Sequence, residues 1–513
     1  ESVGIFHGKE SASRWAVEFV SERYAYEPGK VSFTASVAGS SEKRSIPVEA
    51  GLSSVTLTVV VDEPELWWPR GYGEQPLYQA TVESENDHWS GNTAFRTLEL
   101  VNEDDAYGTN LAFRVNGKEI WAKGANWIPA DALPGRQTEK LISRLLEDAA
   151  TANMNMLRVW GGGQYESEHF YNECDRLGIM IWQDFMFSCS LYPAEQEFLA
   201  SVRGEVAYQV KRLQHHPSIA LWCGNNENVG ALTWFDESIN NRDRYIIDYD
   251  RLNEGAVGSV VRDLDPSRAW WPSSPAAGPG DFSDNWHDDS RGDMHYWSVW
   301  HEGKPFEAYY EVTPRFCSEF GFQSFPSPES VASFAPEEER NLTSPIMDHH
   351  QRHPRGNEVI IATIGRYFRF PSAFEEFIYL SQVQQAMAIT TAVEYWRSRR
   401  PICMGALYWQ LNDLWPVASW SSVEYSGRWK LLHYAAKRFF RPVHLVLIRK
   451  ENQQTEAYMV NDTFAPVRGT LVYKIRRFDG EVIAEETQEL SVAPESSVRA
   501  ALVAPPAAAE KPI

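Results

Sequence analysis

The sequence predicts a multidomain α/β plus all-β protein: a central (β/α)8 TIM barrel flanked by two immunoglobulin-like β-sandwich domains. Three changes of pattern carry this. Residues 1 to about 99 alternate apolar with polar or β-branched positions between Gly, Pro and Ser turns. From about residue 110 short apolar runs alternate with long amphipathic stretches, and beyond Pro442 strand-like alternation returns. The expected domains are 1–103, 104–442 and 443–513, the last of them incomplete. With 513 residues, 43% of them hydrophobic and 13% aromatic, the chain can bury two to four globular cores.

In the first sandwich KVSFTASVAG, SSVTLTVVVDE and PLYQATVES read as strands. The barrel strands are EIWAKGANW, NMLRVWGG, GIMIWQDF, IALWCGN, RAWWPSS, DMHYWSV, RFCSEFG and CMGALYWQLN. Between them TEKLISRLLEDAATAN predicts a helix capped by Thr138 with Leu141, Leu145 and Ala149 on one face. EFLASVRGEVAYQVKRLQ places Phe198, Val202, Val206, Val210 and Leu213 similarly, and YLSQVQQAMAITTAVEYWRSRR precedes the last strand. HLVLIRK, TEAYMVND, GTLVYKIRRFDG and VRAALVA form the second sandwich, and PPAAAEKP reads as a linker or frayed end.

Charge narrows the function. A net charge of -22 and a pI near 5.1 argue against nucleic acid or an anionic membrane surface, both of which require a basic footprint. No apolar run approaches the roughly 18 residues of a membrane span. The start, ESVGIFHGKE, lacks a basic and then apolar leader and has no initiator Met, so a processed or truncated product is expected. The chain reads as soluble, with export and a cytoplasmic location both open and the oligomeric state unspecified. Cys174, Cys189, Cys223, Cys317 and Cys403 show no C-x-x-C spacing and are expected to be buried free thiols on strands or helices. The 20 tryptophans are an excess that suits a sugar cleft, where flat aromatic faces meet the C–H face of a pyranose ring.

In a parallel barrel functional groups sit past the C-terminal ends of strands. There SIALWCGNNEN offers Asn225, Asn226 and Glu227, and RFCSEFG offers Glu319 among apolar residues. They are 92 residues apart, three βα units, so both can enter one barrel mouth. Retaining glycoside hydrolysis needs such a pair: Glu227 as general acid/base and Glu319 as nucleophile. Other strand ends supply Arg158 and Trp160, Asp184, His295 and Trp297, and Trp409 with Asn412; Arg158 is placed to hold Glu319 ionised. Gly161, Gly162 and Gly163 lack phosphate-loop spacing. His215 and His216 precede Pro217 at a helix end without H-E-x-x-H or facial-triad spacing, so neither metal nor cofactor is expected.

The motifs ELWWPRGYGEQPLYQ, FRVNGKEIWAKGANWIPAD, LRVWGGGQYESEHFYNECDRLGIMIWQDF, WCGNNEN, CSEFGFQS and YWQLNDLWPVASWSSVEYSGRWKLLHYAAKRFF resemble glycoside hydrolase family 2 β-mannosidases. The resemblance runs from about residue 55 to residue 442. It implies exo-acting hydrolysis of terminal non-reducing β-D-mannose, with Asn226 on the C2 hydroxyl and Trp160, Trp234 and Trp409 walling the terminal-sugar subsite. Sister activities in that family are β-galactosidase, β-glucuronidase and exo-β-glucosaminidase. The glucosaminidases typically carry Ser-Asp before the acid/base Glu, and this chain carries Asn225 and Asn226. Such enzymes normally begin with a jelly-roll domain, and the sequence as given is expected to start after it, which leaves a non-catalytic carbohydrate-binding relic as the alternative from another class.

Overall fold

The computed structural model describes residues 3–11, 13–85, 87–450 and 452–504; the PPAAAEKP segment lies outside them. At its centre is an eight-stranded parallel sheet: β1 (Ala122–Trp127), β2 (Met156–Val159), β3 (Met180–Asp184), β4 (Ile219–Cys223), β5 (Ala269–Trp271), β6 (Met294–His295), β7 (Cys317–Glu319) and β8 (Gly405–Tyr408). Each lies in one of the eight predicted runs. β2, β3, β4, β7 and β8 are buried at every residue because the sheet is covered on both faces, which is why they read as apolar runs.

The sheet curls until β1 pairs with both β2 and β8. Between β5 and β6 there is no ladder, and side chains close the seam. Asp293, just before β6, accepts from Trp271 Nε1 (2.8 Å), the Ala276 amide (2.9 Å), Ser274 Oγ (2.7 Å) and Ser318 Oγ (2.5 Å). A buried carboxylate with four donors is satisfied without a cation.

Helices lie between strands as the periodicity predicts. Thr138 Oγ1 accepts from the Leu141 amide (3.3 Å) and opens the helix Glu139–Thr151. That helix buries Ile142, Leu145, Leu146, Ala149 and Ala150, so the apolar stripe lies one residue C-terminal to Leu141. Gln196–Leu213 buries Leu199, Val202, Val206, Val210 and Leu213, with Leu199 rather than Phe198 in the stripe. The longest helix, Phe374–Ser398, precedes β8. None of the described helices is long and apolar enough to cross a membrane.

Antiparallel sheets flank the barrel. Val3–Lys9, Arg14–Ala25 and Gly51–Asp62 form one, packed on another of Gly29–Val37, Ser40–Val48, Tyr78–Glu83 and His88–Thr93 around Trp15, Phe19, Phe33 and Leu57. At the C-terminal side Val443–Arg449, Thr455–Asn461 and Ser496–Val503 form one sheet, and Val467–Arg476 with Val482–Val492 another. Asp462, at the end of a strand in this unit, reaches back into the barrel floor. It meets Lys123 of β1 (3.2 Å), Arg397 (2.6 Å) and Arg400 (3.3 Å), all almost fully buried.

Gly124 of β1 shows how tightly the barrel strands approach. A Cβ there would stand 1.7 Å from the Met156 carbonyl oxygen of β2. We expect Gly124→Ala to lower the unfolding free energy by about 3 kcal/mol, because only a backbone shift relieves the overlap. Urea unfolding checks this; a midpoint unchanged from the parent protein would refute the close approach.

Candidate active site

Strand register assembles the site. β1 and β2 align Asn126 with Arg158, and β6 and β7 align His295 with Glu319. The fully buried Arg158 then fans out. Its Nη1 donates to Glu319 Oε1 (2.6 Å) and Asn126 Oδ1 (2.9 Å), and its Nη2 to Asp184 Oδ2 (2.8 Å) and Asn226 Oδ1 (2.7 Å). One guanidinium therefore orients the carboxylate of β7 and the amide before Glu227 in a single planar fork.

Glu227 follows β4 at φ 61°, a left-handed conformation that costs a non-glycine residue about 1–3 kcal/mol and is found at functional sites. Its amide donates to the Ser274 carbonyl (2.8 Å). Asn225 holds the turn from below: Oδ1 accepts from the Asn228 amide (3.0 Å) and Ser273 Oγ (2.6 Å). Facing Glu227, His295 Nδ1 lies 2.6 Å from Oε1 and 3.5 Å from Glu319 Oε2. The converging oxygens of Glu227 and Glu319 and the ring nitrogen of His295 lie within 4.8 Å of one another.

Burial lifts the proton affinity of both carboxyls. For Glu227 the Glu319 charge adds to it; for Glu319 the Arg158 charge and hydrogen bond oppose it. Two such groups share one proton near neutrality, and it rests on Glu227. Burial, then Arg158, holds His295 neutral. Its Nε2 is 3.1 Å from Ser274 Oγ, which contacts Asp293. A single ring proton permits two arrangements: Nδ1–H donated to ionised Glu227, or Nε2–H donated to Ser274 while Nδ1 accepts from protonated Glu227.

Comparison with known proteins identifies the lineage. Residues 453–510 match the family described as "Mannosidase Ig/CBM-like domain". β-Mannosidase of Capra hircus is 41% identical over 432 residues, covering 78% of this chain and 49% of that protein. β-Mannosidase B of Emericella nidulans is 37% identical over 447 residues, covering 82% and 52%. The crystal structure of β-D-mannosidase from Dictyoglomus thermophilum superposes with TM-score 0.89 at 33% identity, over 98% of this chain and 62% of that one. The chain belongs to the β-mannosidase family. It spans about half the length of the curated relatives it matches.

On this β-mannosidase scaffold most sequence-derived candidates converge. Glu227, Glu319, Arg158, Asn226 and His295 form the connected cluster, and the Trp297 indole favours the ionised form of Glu319. Trp160 and Trp409 meet edge to face with centroids 4.9 Å apart, both half-buried. Gly321 explains the G of SEFG: a Cβ there would meet the Trp409 carbonyl at 2.6 Å and the rings of Trp297 and Trp420 at 3.0 Å. Trp234 is 42% exposed, its ring lies over Gly230, and among the described residues no hydrogen bond or ring contact ties it to the cluster. Asn225 and Asn412 point into the scaffold, Asn412 Nδ2 donating to the Ile128 carbonyl (2.9 Å).

Sequence reasoning missed Asn126, Ser274, Asp293, Ser318 and Cys189. Asn126 ends a barrel strand in KGANW, a signal of the kind that flagged Arg158. Nothing local marks the others. Four cysteines are buried free thiols as expected, but Cys189 is exposed in the loop after β3. Its thiol lies 3.3 Å from Glu227 Oε2 and accepts from Asn226 Nδ2 (3.2 Å). It faces the cleft because it adopts φ 51° and its amide bonds the Asn226 carbonyl (2.9 Å). A divalent cation among Glu227, His295 and Glu319 would meet the fixed Arg158 charge, which already occupies Glu319 Oε1.

Proposed function

We propose that this chain carries the catalytic centre of a retaining exo-β-mannosidase acting on terminal β-D-mannosides of small or oligosaccharide substrates. The observation that carries it is the carboxyl pair, with converging oxygens within 4.8 Å and one member bound to a buried guanidinium. Oxygens this close accord with the roughly 5–5.5 Å of a nucleophile and acid/base pair better than with the wider spacing of an inverting pair. The family relationship supports mannose as the sugar.

Glu319, ionised against Arg158, attacks the anomeric carbon. Glu227 protonates the departing oxygen, leaving a mannosyl ester on Glu319. Glu227, now ionised, takes a proton from water as that oxygen attacks the ester-bound carbon and frees Glu319. Asn226, its carbonyl oxygen held by Arg158, exchanges an Nδ2 contact with Ser188 Oγ or Cys189 Sγ (3.2 Å each) for the C2 hydroxyl when sugar binds, and Trp160 with Trp409 walls the ring. We assign residues 1–103, 104–442 and 443–513 to the two sandwiches and the barrel between them.

The test is kcat/KM for a panel of aryl β-glycosides as a function of pH. The mannoside should lead, with a bell-shaped profile: the acid limb is protonation of Glu319, and the basic limb, lifted above the ordinary carboxylate range, is loss of the Glu227 proton. Sugar affinity without turnover, or a glucosaminide or galactoside as best substrate, would overturn the proposal.

A further inference from the structure

Away from the barrel mouth, Glu168 meets the consecutive histidines His215 and His216 where the first sandwich packs on the barrel. Glu168 opens the helix Glu168–Leu177, while His215 and His216 follow the helix Gln196–Leu213. One potential ligand atom from each lies within 4.8 Å of the others. We propose that Glu168, His215 and His216 form a divalent transition-metal site of the Zn2+ or Co2+ type.

Geometry around His216 is the main ground. The residue is fully buried; its Nδ1 is 2.6 Å from Asp175 Oδ2 and its Nε2 is 3.2 Å from Glu168 Oε2. A carboxylate on one ring nitrogen fixes the tautomer and turns the other outward as a ligand, the usual second layer of a histidine–metal site. Two ligands each about 2.1 Å from an ion, at tetrahedral to octahedral angles, stand about 3.0–3.4 Å apart. His216 Nε2 and Glu168 Oε2 already have that spacing.

The neighbours fit the same assignment. Arg212 takes the other Glu168 oxygen (Nη1 to Oε1, 2.6 Å) and so aims Oε2 at His216; unlike the wholly buried Arg158, it is 20% exposed beside a carboxylate 49% exposed, so water screens its charge from an ion. Lys211 is engaged by Glu22 at 2.5 Å. Trp89 of the first sandwich meets the His215 ring edge to face at 5.7 Å. Glu168 and His215 also line a surface cavity of about 740 Å³, so water can fill the remaining coordination positions. Two imidazoles and one carboxylate favour a borderline transition metal over Ca2+ or Mg2+.

The test uses the whole chain stripped with EDTA, titrated with Zn2+ by calorimetry and with Co2+ by visible absorption. One equivalent should bind, raise the melting temperature and leave glycoside turnover unchanged. His215→Ala and Glu168→Gln, both at the accessible side, should each weaken binding about tenfold or more. Absence of binding, or affinity that survives both substitutions, would overturn the site. So would binding that inhibits turnover and is lost in His295→Ala, because that places the ion at the barrel mouth.

Discussion

Glu319→Ala is expected to lower kcat on an aryl β-mannoside by about 10⁴- to 10⁶-fold, the scale seen when a covalent nucleophile is removed. The Arg158 guanidinium that holds Glu319 Oε1 at 2.6 Å stays in place, supported by Asp184 at 2.8 Å, so the space freed is a cationic notch. Azide fits such a notch and attacks the anomeric carbon from the face Glu319 used, while Glu227 still protonates the leaving oxygen. The product is then an α-mannosyl azide. In Glu227→Ala the covalent intermediate still forms from a good leaving group, azide enters from the opposite face, and the product is the β-azide. The configuration of the azide product, read by NMR, distinguishes the two roles. Unchanged turnover of the Glu319 variant would sink the assignment of the nucleophile.

Asp462→Asn should produce the largest loss of stability, about 3–5 kcal/mol, the cost of breaking a buried ion network from one side. The carboxylate is the counter-charge among Lys123, Arg397 and Arg400, each at most 3% exposed. An isosteric amide keeps the shape and removes the charge, leaving three buried cations to repel one another. Burial raises the Asp462 pKa, but Arg397, Lys123 and Arg400 outweigh it and hold the group below the usual Asp range. A depressed folded pKa means the stabilisation is present above the unfolded value and is lost only as pH falls through the folded one. At pH 7 the variant therefore shows the full effect. Urea unfolding with limited proteolysis near Pro442 measures it, since Asp462 ties residues 443–504 to the barrel floor. A stability change below about 0.5 kcal/mol, typical of a surface substitution, would refute it.

The contrast between these two carboxylates also separates what could be read early from what could not. Glu319 ends a run of apolar residues, and the alternation of such runs with amphipathic helices predicts a parallel barrel whose strand ends face one mouth. Asp462 sits in a stretch that reads as an ordinary strand end. Its partners come from residues 123, 397 and 400, and no local pattern links them. Cys189 belongs with Asp462: hydrophobic statistics bury it, and a left-handed turn held by Asn226 brings it to Glu227. His215 and His216 show the same limit, because Glu168 reaches them from the start of another helix.

The amino-acid sequence by itself determined the eight strands, the capped and amphipathic helices, and the two glutamates with the arginine beside them. Period and burial act over a few residues, so these features are local. Tertiary structure alone decided which oxygen meets which nitrogen: the Arg158 fork, the His295 bridge, the Asp293 seam and the place of Trp234 outside the cluster. Those contacts depend on strand register and barrel closure. Both are set by the packing of the whole sheet, where a shift of one residue would turn Arg158 or Glu319 away from the barrel mouth.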